Sequence, residues 1–173
     1  YGIFNPHRVF QRVDDDIDPK YVLPPDVIFD NEENRKDMAA FLTSVRAMDK
    51  CVGIVTDALK EAGLLNDTII IYTTDHGIAF PKMKCSMYDT GIGVSLLVSF
   101  PGNKKKGQVV DSIVSHLDLF PTLCEMLEFE KPDWLQGRSF LPVLKGDAAK
   151  TRDEIYSEVS FHVGYEPMRC IRT

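Results

Sequence analysis

From Thr68 to Thr74 the chain reads Thr-Ile-Ile-Ile-Tyr-Thr-Thr, a continuous β-branched and aromatic run that stops abruptly at Asp75-His76-Gly77. An unbroken apolar run suits a strand covered on both faces, as in a parallel sheet, rather than one with a wet side. Upstream, Phe41, Leu42, Val45, Met48, Val52, Val55 and Leu59 recur at three and four residues, the period of a helix that buries one face. That spacing predicts a helix from Glu33 to Ala62, and Gly63 stands where a left-handed cap commonly ends one. A long helix turning through Asn66-Asp67 into a doubly covered strand predicts an α/β fold.

The rest of the chain extends this pattern. Val94 to Phe100 repeats the strand signature and stops at Pro101-Gly102, and Val109 to Ser115 reads as a further, weaker strand. Leu117 to Leu127 predicts a helix, with Asp118 near its cap and Pro121 in its first turn, where a missing N–H costs least. Two strand-like pieces near the end, Glu154 to Phe161 and Met168 to Thr173, have no helix between them, which predicts an antiparallel addition. Between Gln11 and Glu32 the Asp- and Pro-rich sequence has neither period and reads as a long surface loop.

Composition narrows the function classes. The 173 residues suit one hydrophobic core, with 44% hydrophobic and 27% charged residues. A net charge of −6 argues against a large nucleic-acid surface, and Lys104-Lys105-Lys106 reads as a solvated turn. Cys51, Cys85, Cys124 and Cys170 are widely spaced, so neither a zinc site nor a disulfide framework is signalled. No apolar stretch is long enough to span a bilayer. The opening Tyr1 to Phe10 has no initiating methionine and is strand-like from its first residue, which reads as a chain cut from a longer protein; its cellular address is left open.

Ligands in open α/β sheets bind beyond the carboxyl ends of strands, which is where Asp75 and His76 fall. From position alone the pair reads as metal ligands, as an acid and base, or as a capping aspartate beside a rim histidine. Lys82 and Lys84 follow a few residues later, then Tyr88-Asp89 and a Gly91-x-Gly93 turn. A cation, an imidazole and a lysine at one rim suit an anionic substrate rich in oxygen. His7, in Asn5-Pro6-His7-Arg8, joins the same rim if its strand-like start neighbours the Ile-rich strand.

In this order, the Pro-His-Arg, the helix ending in "LKEAGLLNDTIIIYTTDHG", the lysine three residues before Tyr-Asp, the strand into Pro-Gly, "SHLDLFPTLCEML" and "LQGRSFLPVLKG" resemble the sulfatases of the alkaline-phosphatase-like superfamily. The likeness runs from Phe4 to Thr173 and is strongest toward the N-sulfoglucosamine sulfohydrolase branch and its bacterial relatives. It implies a partial doubly wound α/β domain over residues 1–150 and the start of a smaller antiparallel subdomain over 151–173. It implies hydrolysis of sulfate esters or sulfamates, with a sulfated small molecule or glycan as partner. Asp75 and His76 then correspond to metal ligands, His7 and Lys84 to catalytic groups at the sulfate, and His162 to a substrate contact. Calcium is the implied ion, with manganese open because imidazole is softer than calcium prefers.

Several positions depart from that pattern. Val9 stands where many members have proline, Asp89 replaces a glutamate, and Gly93 and Ser95 replace an Arg and a Pro. The family's formylglycine, made from Cys or Ser in a Cys/Ser-x-Pro/Ala-x-Arg motif, has no counterpart here. Neither do the first pair of metal-binding aspartates; Asp14 to Asp18 lie on the wrong side of the Pro-His motif to replace them. The resemblance therefore implies half an active site, with the nucleophile upstream and no turnover from this chain alone. A phosphonate or phosphate monoester hydrolase of the same superfamily and a non-catalytic sulfatase-like binding module are the alternatives.

Overall fold

The computed structural model describes residues 1–162 and 164–173, which fold into two compact units, Tyr1–Pro101 and Gly102–Thr173. The first unit is organised by α1, Glu32–Glu61. Asn31 caps it, its side chain accepting from the Asn34 N–H at 2.8 Å, and Glu32 and Glu33 place negative charge where the helix dipole favours it. Gly63 closes the other end at φ 71°, the left-handed conformation expected there.

Only the first half of α1 is fully covered. Met38 and Phe41 form a buried cluster with Ile28, Phe80 and Met83, and Phe10, Val22, Val45 and Ile78 pack around it. The Phe41 and Phe80 rings meet edge to face at 5.8 Å, and Phe10 meets Phe41 at 5.5 Å. Farther along, Val52 and Leu59 are half-buried and Ile54 and Val55 exposed, so the predicted stripe is apolar along its length but covered only at its start.

The loop from Gln11 to Asn31 lies over that covered half, which accounts for two buried hydroxyls on α1. Ser44 Oγ accepts the Gln11 N–H at 2.9 Å, and Thr43 Oγ1 accepts the Asp14 N–H at 3.1 Å. The acidic residues of the loop serve the same fastening: Arg46 reaches Asp16 at 2.7 Å and Asp14 at 3.2 Å, while Asp18 caps the short 3-10 turn Pro19–Tyr21. Hydrogen bonding from Arg46 holds the Asp16 carboxyl below its ordinary range. The loop's fastening to α1 is therefore intact above the usual carboxylate pKa and weakens as pH falls below it.

The strand predictions need correction in direction and number. The Ile-rich run forms β1, Ile70–Thr73, after the 3-10 turn Leu65–Asp67, but it pairs antiparallel with β2, Leu96–Ser99, in the register Ile70 opposite Ser99 and Thr73 opposite Leu96. Ile70, Ile71 and Tyr72 are half-buried rather than covered on both faces. Nor is Tyr1 to Phe10 a strand: it is irregular, with a turn at Asn5-Pro6. Val109 to Ser115 is likewise irregular. Between the strands, Gly91 belongs to the short helix α2, Asp89–Ile92, and Gly93 caps its end, so Gly91-x-Gly93 is not an open turn.

The second unit holds α3, Leu119–Met126, α4, Leu141–Lys145, and a hairpin of β3, Ile155–His162, with β4, Gly164–Arg172. The hairpin bears out the predicted antiparallel addition, with Ile155 opposite Arg172 and a register shift between Val159 and Phe161. Asp118 acts differently from a simple cap of α3. Its carboxylate, fully buried, accepts the Ser115 N–H at 2.7 Å, the Arg138 N–H at 2.7 Å and Arg152 Nη2 at 2.5 Å. One carboxylate thus joins the start of α3 to the segment before α4 and to the entry of β3.

Because Asp118→Ala leaves the Arg152 guanidinium buried without its counter-charge, it is expected to lower stability by about 3–5 kcal/mol. Urea unfolding measures this; a loss below about 1 kcal/mol, the range of an exposed pair, would contradict it.

Candidate functional site

The stretch from Thr74 to Ser95 closes on itself between β1 and β2. Its ends are tied where the Thr74 N–H donates to the Ser95 carbonyl and the Ser95 N–H to Thr74 Oγ1. Inside, the Gly77 N–H donates to the Gly91 carbonyl at 2.9 Å, and the Lys84 N–H to the Ile78 carbonyl at 3.0 Å. Gly77 is buried, and a Cβ there would lie 1.9 Å from the Thr90 carbonyl oxygen. Gly91 is equally confined, its Cβ position 2.4 Å from the carbonyl oxygens of Met83 and Ser86. Only glycine allows the two arms of the loop to approach this closely.

Apolar residues fix the loop to the rest of the unit. Phe80 and Met83 project from it into the cluster with Met38 and Phe41 of α1. Around them the backbone takes less favourable conformations, with φ 61° at Lys82 and 68° at Cys85. The Lys82 carbonyl is held by Ser86 Oγ at 3.0 Å and Thr90 Oγ1 at 2.8 Å. Left-handed residues on both sides of Lys84, maintained by burial and hydroxyl donors, are the kind of strain that marks functional loops.

Asp75 is largely solvent-exposed, with 89% of its side chain accessible, and its Oδ2 faces the neighbouring His76. His76 is more enclosed. Its Nδ1 lies 2.6 Å from the Gly77 carbonyl oxygen, which can only accept, so Nδ1 is the donor in that bond. Nε2 faces Asp75 Oδ2 across 3.6 Å, too far for a hydrogen bond. A ring proton on Nε2 makes this contact an ion pair, and without that proton Nε2 and the carboxylate are two donors that one cation can join.

His7 shows the same preference. Its Nδ1 is bonded to the carbonyl of Arg8, a bond that does not use Nε2, and its ring packs 4.9 Å from Phe4. The side chain is exposed. Arg8 joins this turn to the loop after β1, with Nε donating to the Ala79 carbonyl at 2.9 Å. Lys84 is half-buried, and its ammonium makes no ion pair among the described residues. His7, Lys84 and the Asp75-His76 pair therefore sit on backbone segments hydrogen-bonded to, or continuous with, Ile78-Ala79. His162 lies in the second unit, exposed at the end of β3 opposite Gly164.

Donor supply tests whether a metal fits. Asp75 and His76 offer one carboxylate and one imidazole, and among the described residues no group of three or more His, Cys, Asp or Glu side chains could hold a metal ion. Calcium takes about six to eight oxygens. The pair fits as part of a metal site and is insufficient as a whole one. A cavity of about 400 Å³ in the second unit is lined by Asp118, Arg138, Arg152 and Tyr156 among others, and by none of the five residues singled out from the sequence. Its buried ion pair is satisfied internally, which makes it a structural feature.

Comparison with known proteins decides the family. The sulfatase family model matches residues 9–129. The chain belongs to the sulfatase family. It is 40% identical over 140 residues to the N-sulphoglucosamine sulphohydrolase of Homo sapiens, covering 75% of this chain and 28% of that protein. Among solved structures it superposes on BT4656, determined with its substrate D-glucosamine-2-N,6-O-disulfate, at a TM-score of 0.73 and 27% identity, covering 82% of this chain and 31% of that one. It also superposes on the phosphonate monoester hydrolase of Silicibacter pomeroyi at 0.67 and 29% identity, covering 81% and 29%. The chain spans less than a third of the length of these relatives. The mixed helix-and-strand architecture is thus the sulfatases' alkaline-phosphatase-like fold, present in part, with small antiparallel sheets.

Two features had no role in the sequence reading. Arg8 was visible as part of Pro-His-Arg, and Asp37, its partner, as one of many charges on α1. A basic residue between a histidine and Phe10 was the available signal, but its partners are distant in sequence.

Gly77→Ala tests the closed loop. A Cβ driven against the Thr90 carbonyl is expected to cost about 3 kcal/mol, the upper part of the range for overpacking. Thermal unfolding and proteolysis within residues 74–95 report it; a variant as stable and as resistant as the parent would show that the loop opens freely.

Proposed function

We propose that the full-length protein hydrolyses sulfate esters or sulfamates of sulfated sugars, and that His7, Asp75, His76 and Lys84 form this chain's share of its active site. The observation that carries the reading is that His76 Nε2 and Asp75 Oδ2 face each other across 3.6 Å, on a loop closed and anchored in the core. Residues 1–150 then belong to the catalytic α/β domain, and 151–173 open the antiparallel subdomain.

Each residue has a task that follows from its setting. Asp75 and His76 would hold a divalent cation, calcium or manganese, together with oxygen ligands from outside this chain. When bound, such an ion polarises an oxygen of the sulfate. Lys84 sets an unpaired ammonium beside the negative charge that grows on the sulfate oxygens, a donor already in place as charge develops. His7, with Nδ1 committed to the Arg8 carbonyl, presents Nε2 to receive a proton and return it to the leaving oxygen or nitrogen. The formylglycine nucleophile and the remaining metal ligands lie on residues that this chain does not contain.

Similarity to N-sulphoglucosamine sulphohydrolase, and to a structure holding a glucosamine disulfate, supports a sulfated amino sugar. The superposition on a phosphonate monoester hydrolase, together with the imidazole of His76 as a proposed metal ligand, supports a second reading in the same superfamily.

Parallel rates on an aryl sulfate, glucosamine N-sulfate and an aryl phosphonate monoester discriminate the two. The full-length protein is expected to favour the sulfur substrates by at least about ten-fold in kcat/KM, roughly 1.4 kcal/mol of transition-state preference, and residues 1–173 alone to show no turnover. Preference for the phosphonate would establish the second reading, and turnover by this chain alone would overturn the division of the site.

A further inference from the structure

Arg8 makes more directed contacts than any of the residues assigned to chemistry. Its Nε donates to the Ala79 carbonyl at 2.9 Å, three residues beyond His76. Its Nη1 donates to Asp37 Oδ1 on α1 at 3.0 Å, and Nη2 pairs with the other carboxylate oxygen, a bidentate fork. The guanidinium carbon lies 4.3 Å from the Phe10 ring centroid and 4.9 Å from that of Phe80, and the two rings stack at 5.7 Å. One side chain thus ties three stretches of the first unit: the turn with His7, the loop carrying Asp75, His76 and Lys84, and the helix beneath them.

We propose that Arg8 is a positioning residue, which locks the His7 turn onto the Ala79-Phe80 segment and sets both against α1. The kinetic part of this inference rests on the reading of His7 as a group that acts on substrate; the structural part does not. Among the described residues, the exposed His7 ring has only its Nδ1 bond to the Arg8 carbonyl and its packing on Phe4 to orient it. Its distance from the loop after β1 is therefore set by the neighbouring residue. Lysine cannot replace that neighbour, because an ammonium has neither the planar fork nor the flat face that lies against two rings.

The test uses Arg8→Lys, which preserves the charge, and Asp37→Asn, a milder variant that weakens the same fork. Hydrogen–deuterium exchange of the full-length protein is read at peptides covering residues 4–10, 76–84 and 36–45. Both variants are expected to raise exchange in the first two segments together while leaving α1 protected. Loosening of residues 4–10 alone, with 76–84 unchanged, would overturn the proposal.

Kinetics supply the second readout. Arg8→Lys is expected to lower kcat by about ten- to hundred-fold, as small misplacements of reacting groups do, with KM within about two-fold. On a His7→Ala background the same substitution is expected to cost clearly less than on the parent, because the part of its effect that passes through His7 is already lost and only the loosening of residues 76–84 remains. An equal loss on both backgrounds would overturn the positioning role. If His7→Ala itself leaves kcat unchanged, the assignment of His7 fails, and exchange in the two segments alone decides whether Arg8 locks them.

Discussion

Burial of Phe80 and Met83 is the constraint on which the site depends. Both belong to the loop between β1 and β2, and both are inserted into the cluster formed by Met38 and Phe41 of α1 with Ile28. Without that insertion the loop would be a long polar excursion, free to move on its own. With it, the backbone is drawn down between two fixed strands, and the left-handed conformations at Lys82 and Cys85 are held because the surrounding contacts outweigh their cost. Asp75, His76 and Lys84 are then carried by a segment as fixed as the core beneath it. Packing determines where the chemistry stands.

The electrostatic character of the rim follows from backbone carbonyls. His7 and His76 each commit Nδ1 to the carbonyl of the next residue, and neither bond uses Nε2. Asp75 adds a carboxylate, and in this unit only Lys84 among the assigned groups brings positive charge. Such a rim is short of cations. The proposed divalent ion beside Asp75 and His76 would add positive charge there, on the side of the imidazole that its bond to the Gly77 carbonyl does not use. Membership of the sulfatase family and this charge pattern agree, though they are independent observations.

The elements that were legible in the sequence are those encoded locally. The period of Phe41, Val45, Met48 and Val52 located α1 to within one residue at each end, and Gly63 marked its stop. The absence of a helix between Glu154 and Thr173 predicted the hairpin of β3 and β4. Strand direction was not legible, because three isoleucines and a tyrosine encode extended backbone and burial without saying which way the partner runs. Direction depends on whether the connection after Thr73 crosses over as a helix or folds back as a loop. Here Phe80 and Met83 pull it back, and β2 pairs antiparallel. Val109 to Ser115 has strand composition, but the neighbouring Ser112, Ser115 and Asp118 take it into side-chain hydrogen bonds instead. At the site, residue types and spacing pointed to Asp75, His76 and Lys84, while Arg8 gained its role only from Asp37, Ala79 and Phe80, which are remote in sequence.

Anomalous diffraction from crystals of the full-length protein soaked in manganese addresses the shared cation most directly. The ion is predicted to lie between an Asp75 carboxylate oxygen and His76 Nε2, touching both. A manganese peak bound elsewhere, with those two side chains turned away from it and His76 hydrogen-bonded only within its loop, would contradict the reading.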